Sequence, residues 1–284
     1  MRGPHNILRL IRTGATLERT GAMPVILNAL DAPKTIKFAA RFIVWPFQFL
    51  GRKGDKSLLP APRALTAMGP AYIKFGQILS TRPDVVGPEL AEQLRVLQDR
   101  LPPFSTSVAK QSFKLETGLD ADDVFSHFSE PVAAASIAQV HRGQLRESGH
   151  SVAIKVLRPE IERAFQRDID TFYFAARLVE FVSPKSRRLK PIDVITHFDG
   201  VVQGELDLRL ESASASEFSA NIRNDKGFSV PSINWSLSSR RVMTLDWADG
   251  LPMGDTDALT AAGHNLTELG DRVLHMFLSH ALRD

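Results

Sequence analysis

Apolar positions along this chain recur first at a helical period, then in alternation, then at a helical period again. Up to about residue 60 the pattern is helical, with breaks at Gly21, Pro24 and Pro33 and a Gly/Lys/Pro-rich linker, GRKGDKSLLPAP. LTAMGPAYIKFGQILSTR reads as helix, and a turn falls at Pro83-Asp84. PELAEQLRVLQDRL then repeats Leu90, Leu94, Leu97 and Leu101 along one helical face. VAKQSFKLETG predicts a further helix that stops at Gly118. From Val124 to Leu157 the period shortens: PVAAASIAQVHRGQL and SVAIKVL, joined by RESGH, read as strands and a hairpin. Val152, Ile154 and Val156 fall on one strand face, and Ala153, Lys155 and Leu157 on the other. Glu160 to Val182 and Ile192 to Asn221 predict two long helices. SVPSINWSLSSRRVMTLDWADG predicts two more strands, and the residues from Thr256 onward begin another helix.

Composition narrows the class. The 284 residues can bury a full core, and 43% hydrophobic with 24% charged residues is ordinary for a globular protein. There is no cysteine, which excludes disulfides and thiolate metal sites. The eight histidines show no ligand spacing. A net charge of +3 does not suggest a nucleic-acid partner. The surplus is uneven, however: residues 1 to 56 carry ten Lys/Arg against Glu18, Asp31 and Asp55, interleaved with NILRLI and FIVWPFQFL. Such a basic amphipathic segment can lie on an anionic membrane surface or pack as a solvated helix. Phe42 to Leu50 is too short to span a bilayer and holds Pro46.

Three stretches carry chemistry. Lys155 stands on an otherwise apolar strand, where an ammonium needs a compensating anion. A V-A-I-K strand supplies the lysine that pairs with nucleotide phosphates and with a helix glutamate; a surface lysine on a strand is the alternative. GELDLRLESASASEF offers Glu205, Asp207 and Glu211. On one continuous helix Glu205 and Glu211 lie about 120° apart, while Asp207 and Glu211 share a face. One carboxylate can then meet Lys155 and another a second cation, or the helix is solvated and laced by pairs such as Glu205 with Arg209. In AYIKFGQILSTRPD, Lys74 and Gln77 share a face, and Gly76 between them weakens the helix by about 1 kcal/mol relative to alanine, which suggests a close approach there. No Walker A motif and no G-x-G-x-x-G after a strand is present, which argues against a P-loop ATPase and a flavin hydroxylase.

Taken together and in this order, MGPAYIKFGQILSTRPD, PVAAASIAQVHRGQL with VAIKVLRP, and GELDLRLESASASEF resemble the ABC1/UbiB family of atypical kinase-like proteins. The A-A-A-S-x-x-Q-V-H stretch is the most specific, and the likeness runs from about Ala64 onward. It implies an α+β fold: a protein-kinase-like small lobe, with an antiparallel sheet and a helix carrying the lysine's partner, preceded by a helical extension. The implied divisions are residues 1–60 (basic amphipathic helices), 61–120 (helical extension with K-x-G-Q), 121–247 (kinase-like lobe) and 248–284 (start of a second lobe, mostly missing).

The same resemblance assigns Lys155 and Glu211 to the catalytic ion pair. It assigns Ala133, Ala134, Ala135, Ser136, Ile137, Ala138 and Val140, with Lys155, to nucleotide binding. Lys74, Gln77, Glu205 and Asp207 become a regulatory set in which Glu205 and Asp207 hold Lys74, and Met243 to Trp247 the hinge. ATP with Mg2+ is the implied cofactor, the metal ligands being expected beyond residue 284, since no H-x-D…N loop or D-F-G follows LSHALRD. The chain is therefore expected to be a fragment. The implied role is an ATP-binding kinase or ATPase supporting ubiquinone biosynthesis. Its setting would be the cytoplasmic face of the bacterial inner membrane, beside isoprenoid quinone precursors and other quinone biosynthesis enzymes. A non-catalytic scaffold or polyprenyl-lipid-binding module is the alternative. The alanine run, replacing a glycine-rich loop, is expected to be stiffer than glycine.

Overall fold

A computed structural model describes residues 4–29, 32–98, 102–182, 187, 190–225 and 227–283; Leu101 lies outside them. The N-terminal part is helical: α1 (Pro4–Thr20), α2 (Ala22–Ala29), α3 (Lys34–Val44) with a 3-10 turn at Trp45–Leu50, α4 (Pro60–Met68), α5 (Pro70–Ser80), α6 (Pro83–Val86) and α7 (Pro88–Leu94). The helix expected through LTAMGPAYIKF is two. Gly69, at φ 129°, breaks it, and Pro70 restarts it at the first helical position, where a missing N–H costs nothing. The Leu90 repeat likewise tightens after Leu94 into a 3-10 turn at Arg95–Gln98. Leu65, Tyr72, Ile73, Leu90, Leu94 and Leu97 bury one core among these helices.

Helix α8 (Thr106–Thr117) ends as expected at Gly118, whose φ of 77° closes the last turn. A short α9 (Ala121–Val124) leads into β1 (Phe125–Ala134), β2 (Ala138–Leu145) and β3 (Ser151–Leu157). After α10 (Ile161–Val182), α11 (Pro191–Glu205) and α12 (Leu208–Asn221), β4 (Val242–Asp246) joins β3. The sheet is antiparallel in the order β1-β2-β3-β4. The predicted additional strand is instead a 3-10 turn at Trp235–Leu237 with one bridge from Ile233 to Leu245. Helices α13 (Thr256–Ala261) and α14 (Leu266–Arg283) follow.

The alternation read in β3 places its residues as expected. Val152, Ile154 and Val156 pack with Phe113 and Phe125 beneath α8, while Leu157 joins Phe165, Ile169, Phe198, Val202, Leu206 and Leu208 on the other side. Aromatic contacts then fasten α5 across α10 and α11. Phe75 meets Phe198 at 5.3 Å between ring centroids, and Tyr72 meets Phe172 at 4.7 Å, both edge-on. That packing brings Lys74 and Gln77 to the sheet.

The helix predicted from Ile192 to Asn221 is broken at Leu206-Asp207. Asp207 caps α12, its carboxylate accepting from the Arg209 N–H at 3.1 Å. Glu205 therefore ends one helix while Glu211 lies in the first turn of the next, so angles computed on one continuous helix do not apply.

Candidate functional site

The sheet register sets Lys155 in a cross-strand row, Ala133–Val140–Lys155–Met243. Its Nζ donates to both carboxylate oxygens of Glu211, at 2.6 and 2.7 Å. The lysine side chain is 25% exposed and the glutamate 47%, so the ammonium is largely withdrawn from water but matched by a bidentate carboxylate. On α5, Lys74 Nζ lies 2.6 Å from Glu205 Oε1. Two lysines and two glutamates from four different elements thus balance within one cleft.

That cleft has a volume of about 510 Å3 and is lined by Lys74, Gln77, the turn Ala135–Ala138, Lys155, Glu205 and Glu211. Ala133, Ala134 and Val140 do not line it; they sit in β1 and β2 behind the turn. Gln77 turns its amide to the Leu97 carbonyl at 2.7 Å, tying α5 to the 3-10 turn. Asp207 does not hold Lys74. Its oxygens accept from Arg209 at 2.6 and 2.9 Å, and this arginine beside it holds its carboxyl below the usual range. The pairing of Glu205 with Arg209, weighed from sequence, is therefore replaced by Asp207 with Arg209. Gly76 explains itself by packing: a Cβ would stand 2.5 Å from Leu97 Cδ1 and 2.6 Å from Leu65 Cδ1. The close approach is by buried leucine side chains.

The alanine turn is held by residues that sequence reasoning did not single out. The Ala135 N–H donates to Ala138 O at 2.8 Å. Arg158 donates to the Ala135 carbonyl through Nε (3.2 Å) and Nη2 (3.0 Å), and to Pro102 O through Nη1 (3.0 Å), while its own N–H donates to Ile137 O at 2.8 Å. Behind the turn, Gln139 is fully buried. Its Oε1 accepts from Phe104 N–H at 2.9 Å, and its Nε2 donates to Phe104 O at 3.1 Å and to His141 Nε2 at 2.8 Å. His141 Nδ1 meets the Ser129 carbonyl at 2.8 Å. A carbonyl can only accept, so Nδ1 carries the proton and Nε2 accepts from Gln139. Burial holds this imidazole below its ordinary pKa. The signal was present in Q-V-H, whose alternation puts two polar side chains on a buried face.

The model of the ABC1 atypical kinase-like domain matches residues 96–284. The chain belongs to the ABC1 atypical kinase-like family. Its four-stranded antiparallel sheet with α12 set against β3 is the protein-kinase-like small lobe of this ABC1 chain. Relatives named "Probable protein kinase UbiB" include those of Marinobacter nauticus (36% identical over 260 residues, 91% of this chain and 46% of the relative), Aliivibrio fischeri strain MJ11 (39% over 222 residues, 78% and 41%) and Aeromonas salmonicida (38% over 255 residues, 86% and 47%). The ABC1 chain thus spans about half the length of the curated relatives it matches. A solved complex of Rv3197 with erythromycin from Mycobacterium tuberculosis is 28% identical, covering 63% of this chain and 45% of that one, with a TM-score of 0.46.

Proposed function

We propose that this ABC1 chain carries the ATP-binding cleft of an atypical kinase-like enzyme supporting ubiquinone biosynthesis at a membrane. The observation that carries the reading is the bidentate Lys155–Glu211 pair at the floor of the cleft. A strand lysine steadied by a helix glutamate is the arrangement that presents an ammonium to nucleotide phosphates. The fit is supported by the cleft volume, which lies in the range of about 300–1,000 Å3 typical of small-molecule sites. Lys155 and Lys74 would hold phosphate oxygens. The N–H groups of Ser136 and Ile137, which have no backbone acceptor among the described residues, could add donors. ATP bound there would supply the phosphoryl group. The Lys74–Glu205 bridge keeps α5 beside the cleft, which supports a site that limits access to its acceptor.

Mg2+ does not fit these residues by themselves. Glu205 and Glu211 are both engaged by lysines, and no metal-holding cluster of His, Asp or Glu occurs among the described residues. No step through the metal follows from this chain. The membrane setting, beside isoprenoid quinone precursors, is supported by an exposed apolar face on α3 and the following turn: Phe38, Phe42, Ile43, Trp45 and Phe49. No described helix is long and apolar enough to cross a membrane.

Thermal unfolding of the chain with and without Mg-ATP tests the reading. The melting temperature should rise in the wild type, because a ligand selective for the folded state stabilises it by mass action. Lys155→Ala should abolish the rise. An absent rise, or one equal in the variant, would overturn nucleotide binding and leave the non-catalytic module as the better account of the exposed α3 face.

A further inference from the structure

Away from the cleft, α1, the α4–α5 junction and α10 enclose a second cavity of about 420 Å3. Four guanidinium groups line it: Arg9 and Arg12 from α1, Arg52 from the segment after the 3-10 turn, and Arg167 from α10. Among the described residues none of these four has a carboxylate within 4.0 Å, whereas Arg41, Arg82, Arg163, Arg209 and Arg272 each form an ion pair. Three of the four are instead anchored by one arm to main-chain carbonyls. Arg9 donates to Arg167 O at 2.9 Å, Arg52 to Ala67 O at 2.5 Å, and Arg167 to Arg163 O at 3.1 Å. A guanidinium has five N–H donors, so each anchored group still has donors to offer. The fold therefore gathers like charges around a concave space, fixes most of them, and leaves their field only partly compensated.

Two further polar groups sharpen the chemistry. The Tyr72 hydroxyl, 2.9 Å from Thr13 Oγ1, is pushed up by burial to a pKa of about 12 and remains protonated. Asp168 is the one carboxylate in the lining, and burial raises its pKa to about 6 against the pull of Arg9, Arg167 and Arg52. Four cations against one carboxylate leave a surplus of three charges (4 − 1). A single carboxylate ligand would meet a small part of that surplus. A phosphate group, doubly charged with several acceptor oxygens, matches it far better, and arginine forks bind phosphate bidentately. The cavity also has room for an organic substituent beyond the phosphate.

We propose that this cavity is a phosphate-binding site, taking the phosphate ester of a small molecule or of a lipid headgroup, and that it is distinct from the nucleotide cleft. The chain is titrated calorimetrically with inorganic phosphate at fixed ionic strength. In parallel it is sedimented with phosphatidylcholine vesicles containing or lacking phosphatidic acid. Arg12→Gln and Arg167→Gln are compared with the wild type; the Arg12 side chain is exposed and makes no hydrogen bond among the described residues, and its main-chain carbonyl still accepts from Thr16 Oγ1 in the variant, so the substitution leaves the fold intact. Removing one charge-assisted contact should raise the dissociation constant about tenfold. Asp168→Asn should tighten binding several-fold, a gain that general unfolding cannot mimic. The binding component that depends on Arg12 and Arg167 should survive Lys155→Ala, which alters only the nucleotide cleft. Arginine-dependent binding of inorganic phosphate assigns a soluble ligand, and arginine-dependent binding confined to phosphatidic acid vesicles assigns a lipid headgroup. Absence of both, or binding indifferent to the Arg12, Arg167 and Asp168 substitutions, overturns the proposal.

Discussion

Gln139 and His141 bear most of the work at the residue scale. Every donor and acceptor in Phe104–Gln139–His141–Ser129 is matched, so each member fixes the orientation of the next. Gln139→Ala would orphan both the N–H and the C=O of Phe104, at a cost of about 2–4 kcal/mol, and would free the chain beneath the Ala135–Ala138 turn. A fall in denaturation midpoint checks this. Protonating His141 would point a second N–H at the Gln139 amide. Its folded pKa is held below the ordinary value, so the unfolded chain binds the proton more readily. The His141 contribution is thus complete above about pH 6.5 and is lost as pH falls below that value. Comparing midpoints across that range, the wild type should lose more stability than His141→Phe, which has no such proton to take up. The alanine run drew attention because glycine was expected there. The turn is held, however, by Arg158 and by the polar pair behind it: Arg158 reaches Pro102, 56 residues away in sequence, and Gln139 reaches Phe104, 35 residues away. Periodicity places a side chain on a face but is silent about such partners.

At the scale of elements, the break between α11 and α12 positions the site. Glu205, at the end of one helix, reaches Lys74 while Glu211, in the first turn of the next, reaches Lys155. Neither Gly nor Pro stands at Leu206-Asp207, so apolar periodicity runs through it. The legible signal was a capping aspartate ahead of a first turn containing Glu211. Asp207→Ala should cost about 1 kcal/mol through the lost cap. Asp207→Asn keeps the cap acceptor and gives up the Arg209 pair, which is exposed on the arginine side and worth little. Urea midpoints should therefore drop for the alanine variant and return close to wild type for asparagine. Equal losses would make the ion pair, not the cap, the stabilising feature. Within the sheet β3 was the legible strand, because its two faces pack into separate cores and so alternate, whereas the pairing of β1 with β2 is interrupted by register shifts that blur the alternation. The stretch after residue 228 was not legible, since the Ser238 and Thr244 side chains there bond to main chain and replace a ladder with a turn.

On the scale of the whole molecule, charge and exposed apolar surface are distributed together. The arginine cavity was invisible in sequence because its members come from positions as far apart as Arg9 and Arg167, and no local pattern links them. The basic amphipathic segment was legible, and the structure divides it between two faces. Arg9, Arg12 and Arg52 turn to the cavity, while α3 and its following turn expose Phe38, Phe42, Ile43, Trp45 and Phe49 with Lys37 and Arg41 alongside. Phe38 and Phe42 stack at 6.3 Å, one turn apart, so the face is continuous. Helix α14 also exposes an apolar face, with Leu274, Phe277 and Leu282, but it carries Glu268 and Asp271 where α3 carries no acid. An anionic bilayer should discriminate between the two, attracting the basic face and not the mixed one. Phe42→Ser with Phe49→Ser should therefore sharply reduce co-sedimentation with phosphatidylglycerol vesicles. Their high exposure means that the melting temperature should hardly change. Phe277→Ser, equally exposed, should leave vesicle binding as it was. If both substitutions weaken binding alike, general stickiness explains the association, and the α3 face has no special claim to the membrane.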